Sequence, residues 1–240
     1  MNIIESIIDF VYPPICPICK EIIPWYSEKR ICKNCREAIP IIEGPRCEKC
    51  SKIIDHEENI LCFDCSKKAH VYNKGWSLCL YQEPLKEAIY AFKYNNKKEY
   101  GKLFAKEIVN HFKSILIQYK IDVIIPIPLY YKKKKKRGYN QSEVLAKEIG
   151  KMLDIKVECC LERVRDTKAQ KGLNDEQRIK NLRNAISLKN NRYSFKKILL
   201  VDDIYTTGST INACARALKK NIHNDDIQVY FISLCIGKGY

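Results

Sequence analysis

Four Cys-x-x-Cys pairs near the N-terminal end constrain this chain more than any other feature of its sequence. The pairs are Cys16–Cys19, Cys32–Cys35, Cys47–Cys50 and Cys62–Cys65. Two cysteines three residues apart on a tight turn can bind one tetrahedral ion, and two such turns supply four thiolates. Thiolates are soft ligands, and a shell of four leaves no open coordination position, so the predicted guest is structural zinc. The spacing therefore predicts two zinc ribbons.

Spacing alone leaves the pairing of these cysteines open between sequential and interleaved arrangements. We expect the sequential one, with Cys16, Cys19, Cys32 and Cys35 around one ion and Cys47, Cys50, Cys62 and Cys65 around the other. Iron–sulfur ligation or redox chemistry is the less favoured alternative. His56 and His70 fit no knuckle and are expected at the surface. The other cysteines lie in apolar or helical contexts and are expected to be small buried hydrophobes: Cys79, Cys159, Cys160, Cys214 and Cys235.

Charge divides the 240-residue chain into two unlike parts. Residues 1–70 contain 10 Lys and Arg against 11 Asp and Glu, whereas residues 71–240 contain 33 against 17. The net charge of +15 excludes an acidic solvating chain and makes polyanions the first class of partner to consider. We predict an N-terminal helix and double zinc ribbon in 1–70 and a basic domain in 71–240.

Neither a secretory signal nor a membrane span is expected. The apolar run Asn2–Val11 is interrupted by Glu5 and Asp9 and follows helical spacing, which is typical of a short amphipathic helix. No stretch of 18 consecutive apolar residues occurs in the sequence. A cytoplasmic location follows as an expectation, since reduced thiols there favour metal ligation over disulfides.

The basic part alternates between strand and helix patterns, which predicts an α/β fold with a doubly wound, mostly parallel sheet. Strands are predicted at Asn73–Tyr81, Asp122–Ile127, Lys197–Val201 and Gln228–Cys235. Helices are predicted at Pro84–Tyr94, Gly101–Gln118, Asn140–Leu153 and Ser209–Lys220. Asn140 and Glu143 have the spacing of a capping box at the start of the third of these helices.

The stretch Ile198–Thr210 carries the strongest functional signal. A buried strand ends in Asp202 and Asp203, and a turn rich in hydroxyl groups then opens a helix, with Thr206, Thr207, Gly208, Ser209 and Thr210. In parallel sheets ligands bind at the carboxyl ends of strands, and a helix N-terminus holds phosphate. The carboxylates would accept hydrogen bonds from sugar hydroxyls or help to place Mg²⁺. The pattern indicates a phosphorylated ribose; a plain strand–turn–helix capped by Ser209 is the alternative.

Consecutive cations follow the second predicted strand, at Lys132, Lys133, Lys134, Lys135, Lys136 and Arg137. Tyr130, Tyr131 and Tyr139 flank them and could stack on bases. We predict a loop that contacts nucleic acid through Lys132–Arg137 and Tyr139. The alternative is a solvated loop whose lysines keep the protein soluble.

Taken together, the motifs resemble the ComF family of competence proteins and their GntX-like relatives. The resemblance rests on the zinc-ribbon head, on Ile125-Pro-Ile-Pro-Leu129 with Arg137-Gly-Tyr-Asn-Gln141, and on Asp202-Asp-Ile-Tyr-Thr-Thr-Gly208. Phe92-Lys93-Tyr94 also fits the family pattern. The third motif resembles the phosphoribosyl pyrophosphate (PRPP) motif of type I phosphoribosyltransferases, and it also occurs in proteins of that fold that only bind PRPP.

The resemblance implies roles for several segments. Asp202 and Asp203 would contact the ribose hydroxyls, and Thr206–Thr210 would wrap the 5′-phosphate of PRPP, which comes with Mg²⁺. The loop after the first strand of the type I fold would face the pyrophosphate, through Pro126, Ile127, Pro128 and Leu129. Val164–Gln177 would form a hood over the site.

The family implies a competence protein that binds PRPP and single-stranded DNA during natural transformation, with DNA-uptake or recombination proteins as partners. One alternative is a phosphoribosyltransferase with an unidentified acceptor. Another is a non-enzymatic, PRPP-sensing scaffold whose zinc head docks a partner. Spacing places no proton-transfer residue in the hood, but transferases of this type rely largely on positioning and on stabilising the leaving pyrophosphate. Catalysis therefore stays open.

Overall fold

The computed structural model describes residues 3–27, 30–54, 58, 60–165, 185–190, 193–222 and 226–237. The described helices are α1 (Ile3–Val11), α2 (Lys33–Glu37), α3 (Phe63–Lys67), α4 (Leu85–Tyr94), α5 (Tyr100–Gln118), α6 (Tyr131–Arg137), α7 (Gln141–Leu153) and α8 (Ser209–Asn221). The described strands are β1 (Lys74–Leu80), β2 (Val123–Pro126), β3 (Leu161–Arg163), β4 (Ile186–Leu188), β5 (Lys197–Tyr205) and β6 (Gln228–Ile236).

A parallel sheet in the strand order β1-β6-β5-β2 forms the centre of the molecule. The run Ile198–Val201 in β5 is fully buried, as expected for a central strand covered on both faces. This sheet confirms the predicted α/β class. β5 extends beyond the predicted end at Val201 to Tyr205, because its pairing with β6 continues to Ile236.

Helices cover both faces of the sheet. Helices α4, α5 and α7 share one apolar cluster with Leu199 and Val201, and α8 shares another with Ile198 and Leu200. The predicted capping box at the start of α7 is only half present. Asn140 Oδ1 accepts a hydrogen bond from Ser142 N at 3.2 Å, whereas the Glu143 carboxylate pairs with two lysines, Lys134 and Lys147, at 2.9 and 2.7 Å.

The cysteine-rich head shares both apolar clusters of the sheet. Ile18 and Ile31 of the first ribbon lie in the cluster of α4 and α5, and Ile54 of the second ribbon lies in the cluster of α8. Between the ribbons, Ile42 N donates to Leu78 O at 3.0 Å, and the carbonyl of Pro40 accepts from the backbone of β1 at 2.9 Å. The head therefore covers the edge strand β1, which protects it from pairing with another chain.

Most expectations about the other cysteines and the histidines can be compared with the structure. Cys79, Cys160, Cys214 and Cys235 are fully buried, whereas Cys159 is half-buried. His70, expected at the surface, is half-buried, and its Nδ1 lies within hydrogen-bonding distance of Asn212 Nδ2. His56 lies outside the described residues. Within the described part of the chain, no helix combines the length and apolarity that a membrane crossing needs.

Candidate functional site

A cavity of about 270 Å³ opens at the carboxyl end of β5, the position where parallel sheets bind ligands. Its lining includes both carboxylates that end the buried part of β5, and it includes most of the turn that opens α8. The lining residues are Tyr81, Lys93, Asp202, Asp203, Ile204, Tyr205, Thr206, Gly208, Ser209, Thr210 and Ile211. The cavity thus collects the twin acids, hydroxyl groups and a helix N-terminus at one place.

The turn between β5 and α8 depends on Gly208. Gly208 has a φ of 73°, in the left-handed region, and a Cβ there would lie 2.7 Å from Tyr205 Oη. The carbonyl of Gly208 accepts the first α8 hydrogen bond, from Asn212 N at 2.8 Å. The first N–H groups of a helix have no partner within the helix and carry a partial positive charge. This end of the cavity therefore suits an anion.

Thr207 is held within the turn. Its Oγ1 lies 2.8 Å from Ser209 Oγ, and the two hydroxyls share a hydrogen bond. Thr207 does not line the cavity, whereas Thr206, Ser209 and Thr210 do. The hydroxyl groups predicted to wrap a phosphate are thus gathered in one turn, with Thr207 supporting Ser209.

The two carboxylates have different surroundings. Asp203 Oδ1 forms an ion pair with Lys93 Nζ at 3.0 Å. Asp202 Oδ1 accepts hydrogen bonds from Ser142 Oγ and from the backbone N–H of Asp203, both at 2.9 Å. Burial and then the neighbouring Asp203 charge raise the pKa of Asp202 to about 7, in spite of the opposing effect of Lys93. The cavity therefore holds one ion-paired acid and one that titrates near neutral pH.

Lys93 is a site residue to which the sequence analysis assigned no role. Burial alone would lower the pKa of Lys93, but the carboxylates of Asp203 and Asp202 outweigh it, so that pKa is raised. A signal for it was present, because Lys93 lies four residues after the fully buried Ile89 on α4. A charge on the buried face of a helix indicates an internal ion pair.

The predicted pyrophosphate loop offers little to an anion. Ile127 N donates to Val201 O at 3.0 Å, and Ile127 O accepts from Asn140 Nδ2 at 2.9 Å. Pro126 and Pro128 have no N–H, so the group left to this loop is the N–H of Leu129. The lining of this cavity does not include the loop, and the assignment of Pro126, Ile127, Pro128 and Leu129 to the pyrophosphate stays a prediction.

The predicted hood and basic loop have different outcomes. Of the hood segment Val164–Gln177, the residues from 166 onward lie outside the described residues.

The basic run forms helix α6, so the prediction of a loop there is wrong. Gly138, with a φ of 82°, ends α6 in the left-handed conformation and is followed by the buried Tyr139, whose hydroxyl donates to Phe92 O. A buried ring cannot stack on a base, which removes Tyr139 from the predicted DNA-binding set.

Two four-cysteine clusters match the geometry of structural zinc. In each cluster the sulfur atoms all lie within 4.8 Å of one another, and the pairing is sequential. The Sγ atoms of Cys19 and Cys32, and those of Cys50 and Cys62, are 3.6 Å apart. Sulfurs bound tetrahedrally to zinc at 2.3 Å would be about 3.8 Å apart, so the donor sets fit the ion.

The second ribbon is connected to the cavity by the segment that follows it. Tyr72 Oη and Tyr205 Oη are 2.7 Å apart, and the Tyr205 ring stacks on Phe231 with centroids at 4.6 Å. On α8, Asn212 Oδ1 accepts from Val71 N at 2.8 Å, and Asn212 Nδ2 lies 2.8 Å from His70 Nδ1. These contacts support the end of β5 and the start of α8, the two elements that line most of the cavity.

Comparison with known families agrees with this geometry. Residues 7–66 match the double zinc ribbon domain, and residues 94–223 match the phosphoribosyl transferase domain. The fold and the cavity thus define a phosphoribosyltransferase-domain protein with a double zinc ribbon at its N-terminal end.

Relatives with this combination are found among competence and DNA-utilization proteins. The chain is 31% identical to competence protein F of Haemophilus influenzae over 85% of its own length and 90% of that protein. It is 27% identical to competence protein ComFC of Bacillus subtilis, over 80% and 78% of the two chains. It is 26% identical to the DNA utilization protein YhgH of Escherichia coli K12, over 87% and 92%. The chain belongs to the ComF family.

Proposed function

We propose that this chain is a cytoplasmic DNA-uptake protein of natural transformation that binds PRPP with Mg²⁺ and also binds single-stranded DNA. The names of its relatives, competence protein F, ComFC and DNA utilization protein, support the role in DNA uptake. The match to the phosphoribosyl transferase domain supports PRPP as the small ligand.

The observation that carries the PRPP proposal is the cavity at the end of β5. The start of α8, with Thr206–Thr210, would hold the 5′-phosphate through its N–H and hydroxyl groups. Asp202 and Asp203 would accept hydrogen bonds from the ribose hydroxyls, which favours the carboxylate form of Asp202. Mg²⁺ is commonly held by one or two carboxylates together with substrate phosphates, so these acids also suit the ion that PRPP brings.

Helix α6 supports the DNA part of the proposal. Lys132, Lys135 and Lys136 are exposed on it, and no acidic residue occurs in Tyr131–Arg137. Exposed cations on one helix attract the phosphates of a nucleic acid. Binding releases the counterions that surround those phosphates, which makes the affinity dependent on salt concentration. We assign the exposed lysines of α6 to binding of the single-stranded DNA that is taken up.

Calorimetric titration with PRPP and Mg²⁺ tests the small-ligand proposal. Wild type should release or absorb heat with one site per chain. Asp202→Ala combined with Asp203→Ala should abolish the signal, because both ribose acceptors are lost. Asp154→Ala, at the exposed end of α7, removes one carboxylate far from the cavity and should bind as wild type does. A wild-type protein that binds no PRPP would contradict the proposal.

A transferase activity is the second candidate, and the pKa of Asp202 is the observation that favours it. A carboxyl group with a pKa of about 7 can take a proton from an acceptor at neutral pH. The test is release of pyrophosphate from PRPP in the presence of nucleobases or single-stranded DNA. Pyrophosphate that appears with wild type and not with Asp202→Asn supports turnover, and its absence with every acceptor leaves PRPP as a bound ligand.

A further inference from the structure

We propose that Tyr90 and Tyr94 form the base-stacking platform of the single-strand site, next to the lysines of α6. The inference rests on the proposed binding of single-stranded DNA and identifies residues that would hold the bases. Neither tyrosine was among the residues predicted from the sequence to contact DNA. We assign to them the base-stacking role that the sequence had suggested for Tyr139, which is buried.

The two tyrosines form an exposed pair of rings. They are one helical turn apart on α4, and their centroids are 4.8 Å apart at an interplanar angle of 44°. Tyr90 is 56% exposed and Tyr94 is 53% exposed, on a helix whose other large apolar side chains are buried. Packing against the sheet therefore does not explain why aromatic residues occupy these two positions. A ring face in water can accept a flat, apolar partner.

Arg137 joins this pair to α6. Its guanidinium carbon lies 4.6 Å from the Tyr94 ring centroid, and its Nη2 donates to Tyr94 Oη at 3.0 Å. Arg137 Nη1 also donates to Gln141 Oε1 at 3.1 Å, so the guanidinium is held from two sides. The cation–π contact places the rings beside the last turn of the basic helix. The aromatic rings and the C-terminal end of the basic helix are thus in direct contact.

Further exposed cationic and aromatic residues lie beyond the pair, on the loop after α4 and at the start of α6. Beyond α4, the exposed Lys97 and Lys98 lie on the loop whose Asn96 meets the end of α6 at Gly138. At the other end of α6, Tyr131 is 62% exposed, about 9 Å along the helix axis from Arg137 at 1.5 Å per residue. The length suits more than one nucleotide.

Charge complementarity selects the occupant. Glu87 on α4 and Glu99 after it are exposed, but the cations of Lys132–Arg137 together with Lys97 and Lys98 outnumber them, which favours a polyanion over an apolar protein segment. A single strand offers both a phosphate backbone and free base faces, whereas a duplex keeps its base faces stacked inside. Single-stranded nucleic acid is therefore the partner that uses the rings and the lysines together.

The test compares two oligonucleotides of equal length and charge, an oligo-dT and a fully abasic strand, by fluorescence anisotropy with the full-length protein. Wild type should bind oligo-dT about 10- to 100-fold more tightly than the abasic strand, because stacking is lost in the latter. Tyr90→Leu/Tyr94→Leu should lose that preference and bind the abasic strand as wild type does. Tyr90→Phe/Tyr94→Phe should keep it, since the rings remain.

Tyr12→Leu is the matched control, because Tyr12 is 77% exposed and lies in the head rather than near α6. Far-ultraviolet circular dichroism shows whether each variant is folded. A leucine variant that still prefers oligo-dT as wild type does, or a phenylalanine variant that loses the preference equally, overturns the stacking platform and leaves strand binding intact. A wild type that binds neither strand overturns the proposed DNA function itself.

Discussion

The cavity at the end of β5 and the basic helix α6 both contain an ion-paired lysine, but the two lysines have opposite surroundings. In the cavity, Lys93 and Asp203 are paired with only 16% and 12% of their side chains exposed. On α6, Lys134 is paired with Glu143 and remains 51% exposed. Charges removed from water interact strongly and shift pKa values, whereas exposed charges are screened by salt. The cavity should therefore respond to pH and to loss of a partner, and α6 to ionic strength.

The two regions also depend on different supports. The cavity is supported by the second ribbon through the hydrogen bond between Tyr72 and Tyr205. Helix α6 is attached to α4 and α7 through Arg137 and Lys134. Damage to the second ribbon should therefore affect the cavity first.

The largest effect is expected from loss of the second zinc site. Cys50→Ser should release that zinc, lower the free energy of unfolding by more than about 5 kcal/mol and abolish PRPP binding, because metal binding and folding of such segments are coupled. All four cysteines of this cluster are buried, whereas Cys19 of the first is exposed. Cys19→Ser should therefore lose one zinc and keep PRPP binding. Metal analysis and calorimetry test the pair of variants; equal loss of PRPP binding in both would contradict the second ribbon's special connection to the cavity.

The next effect is expected from the ion pair in the cavity. Lys93→Met leaves Asp203 without its cation and should cost about 2 to 4 kcal/mol, since breaking a largely buried pair leaves an uncompensated charge. Lys93→Met/Asp203→Leu should recover most of that loss. Lys97→Met, at a lysine that is 50% exposed, should change stability by less than about 0.5 kcal/mol. Chemical denaturation measures all three, and an additive double variant would show that the pair is not coupled.

Asp202→Asn should stabilise the protein in a manner that depends on pH. The folded pKa of Asp202, about 7, exceeds its ordinary value of 3.8, so between these values the folded state binds more protons than the unfolded state. Wild-type stability therefore falls as pH rises through this window, and the loss is complete above it. The amide does not ionise, so the variant should match wild type near pH 4 and exceed it by about 4 kcal/mol at pH 8, at about 1.4 kcal/mol for each pKa unit.

Thermal unfolding across pH 4 to 8 measures this difference, with Asp154→Asn at the exposed end of α7 as the control. The same Asp202→Asn variant should bind PRPP more weakly, because an amide accepts hydrogen bonds from ribose less strongly than a carboxylate does. A stability difference between Asp202→Asn and wild type that does not change from pH 4 to 8 would mean that Asp202 is ionised in the folded protein over this whole range, which would contradict the raised pKa.

The smallest effect is expected on α6 and should appear in the salt dependence. Changing Lys132, Lys135 and Lys136 to Ser should reduce the slope of log K against log salt for single-stranded DNA by about 2, at about 0.7 per phosphate contact. The control changes Lys102, Lys106 and Lys113 on the exposed side of α5 to Ser, which lowers the net charge by the same amount as the α6 variant does. Equal slopes for the two triple variants would mean that the lysines act only through net charge.

The sequence predicted best what is encoded by residues close together in the chain. The four cysteine pairs, the strand run of β5 and the turn at Gly208 are local patterns, and they were sufficient for the zinc sites, the parallel sheet and the position of the cavity. The family resemblance was confirmed by the domain matches and by the relatives.

Contacts between distant segments could not be derived in the same way. The partner of Asp203 is Lys93, more than 100 residues earlier, and only the fold of α4 against β5 brings them together. Tyr139 is buried because the left-handed Gly138 directs the chain inward after α6. The hydrogen bond from Ile127 N to Val201 O likewise depends on the pairing of neighbouring strands in the sheet.

A crystal structure of the protein grown with PRPP and Mg²⁺ tests the central claim most directly. The account predicts that the 5′-phosphate lies within hydrogen-bonding distance of the backbone N–H groups at Thr206–Thr210, with the ribose hydroxyls on Asp202 and Asp203. An empty cavity at saturating PRPP, or PRPP bound elsewhere on the chain, would contradict it.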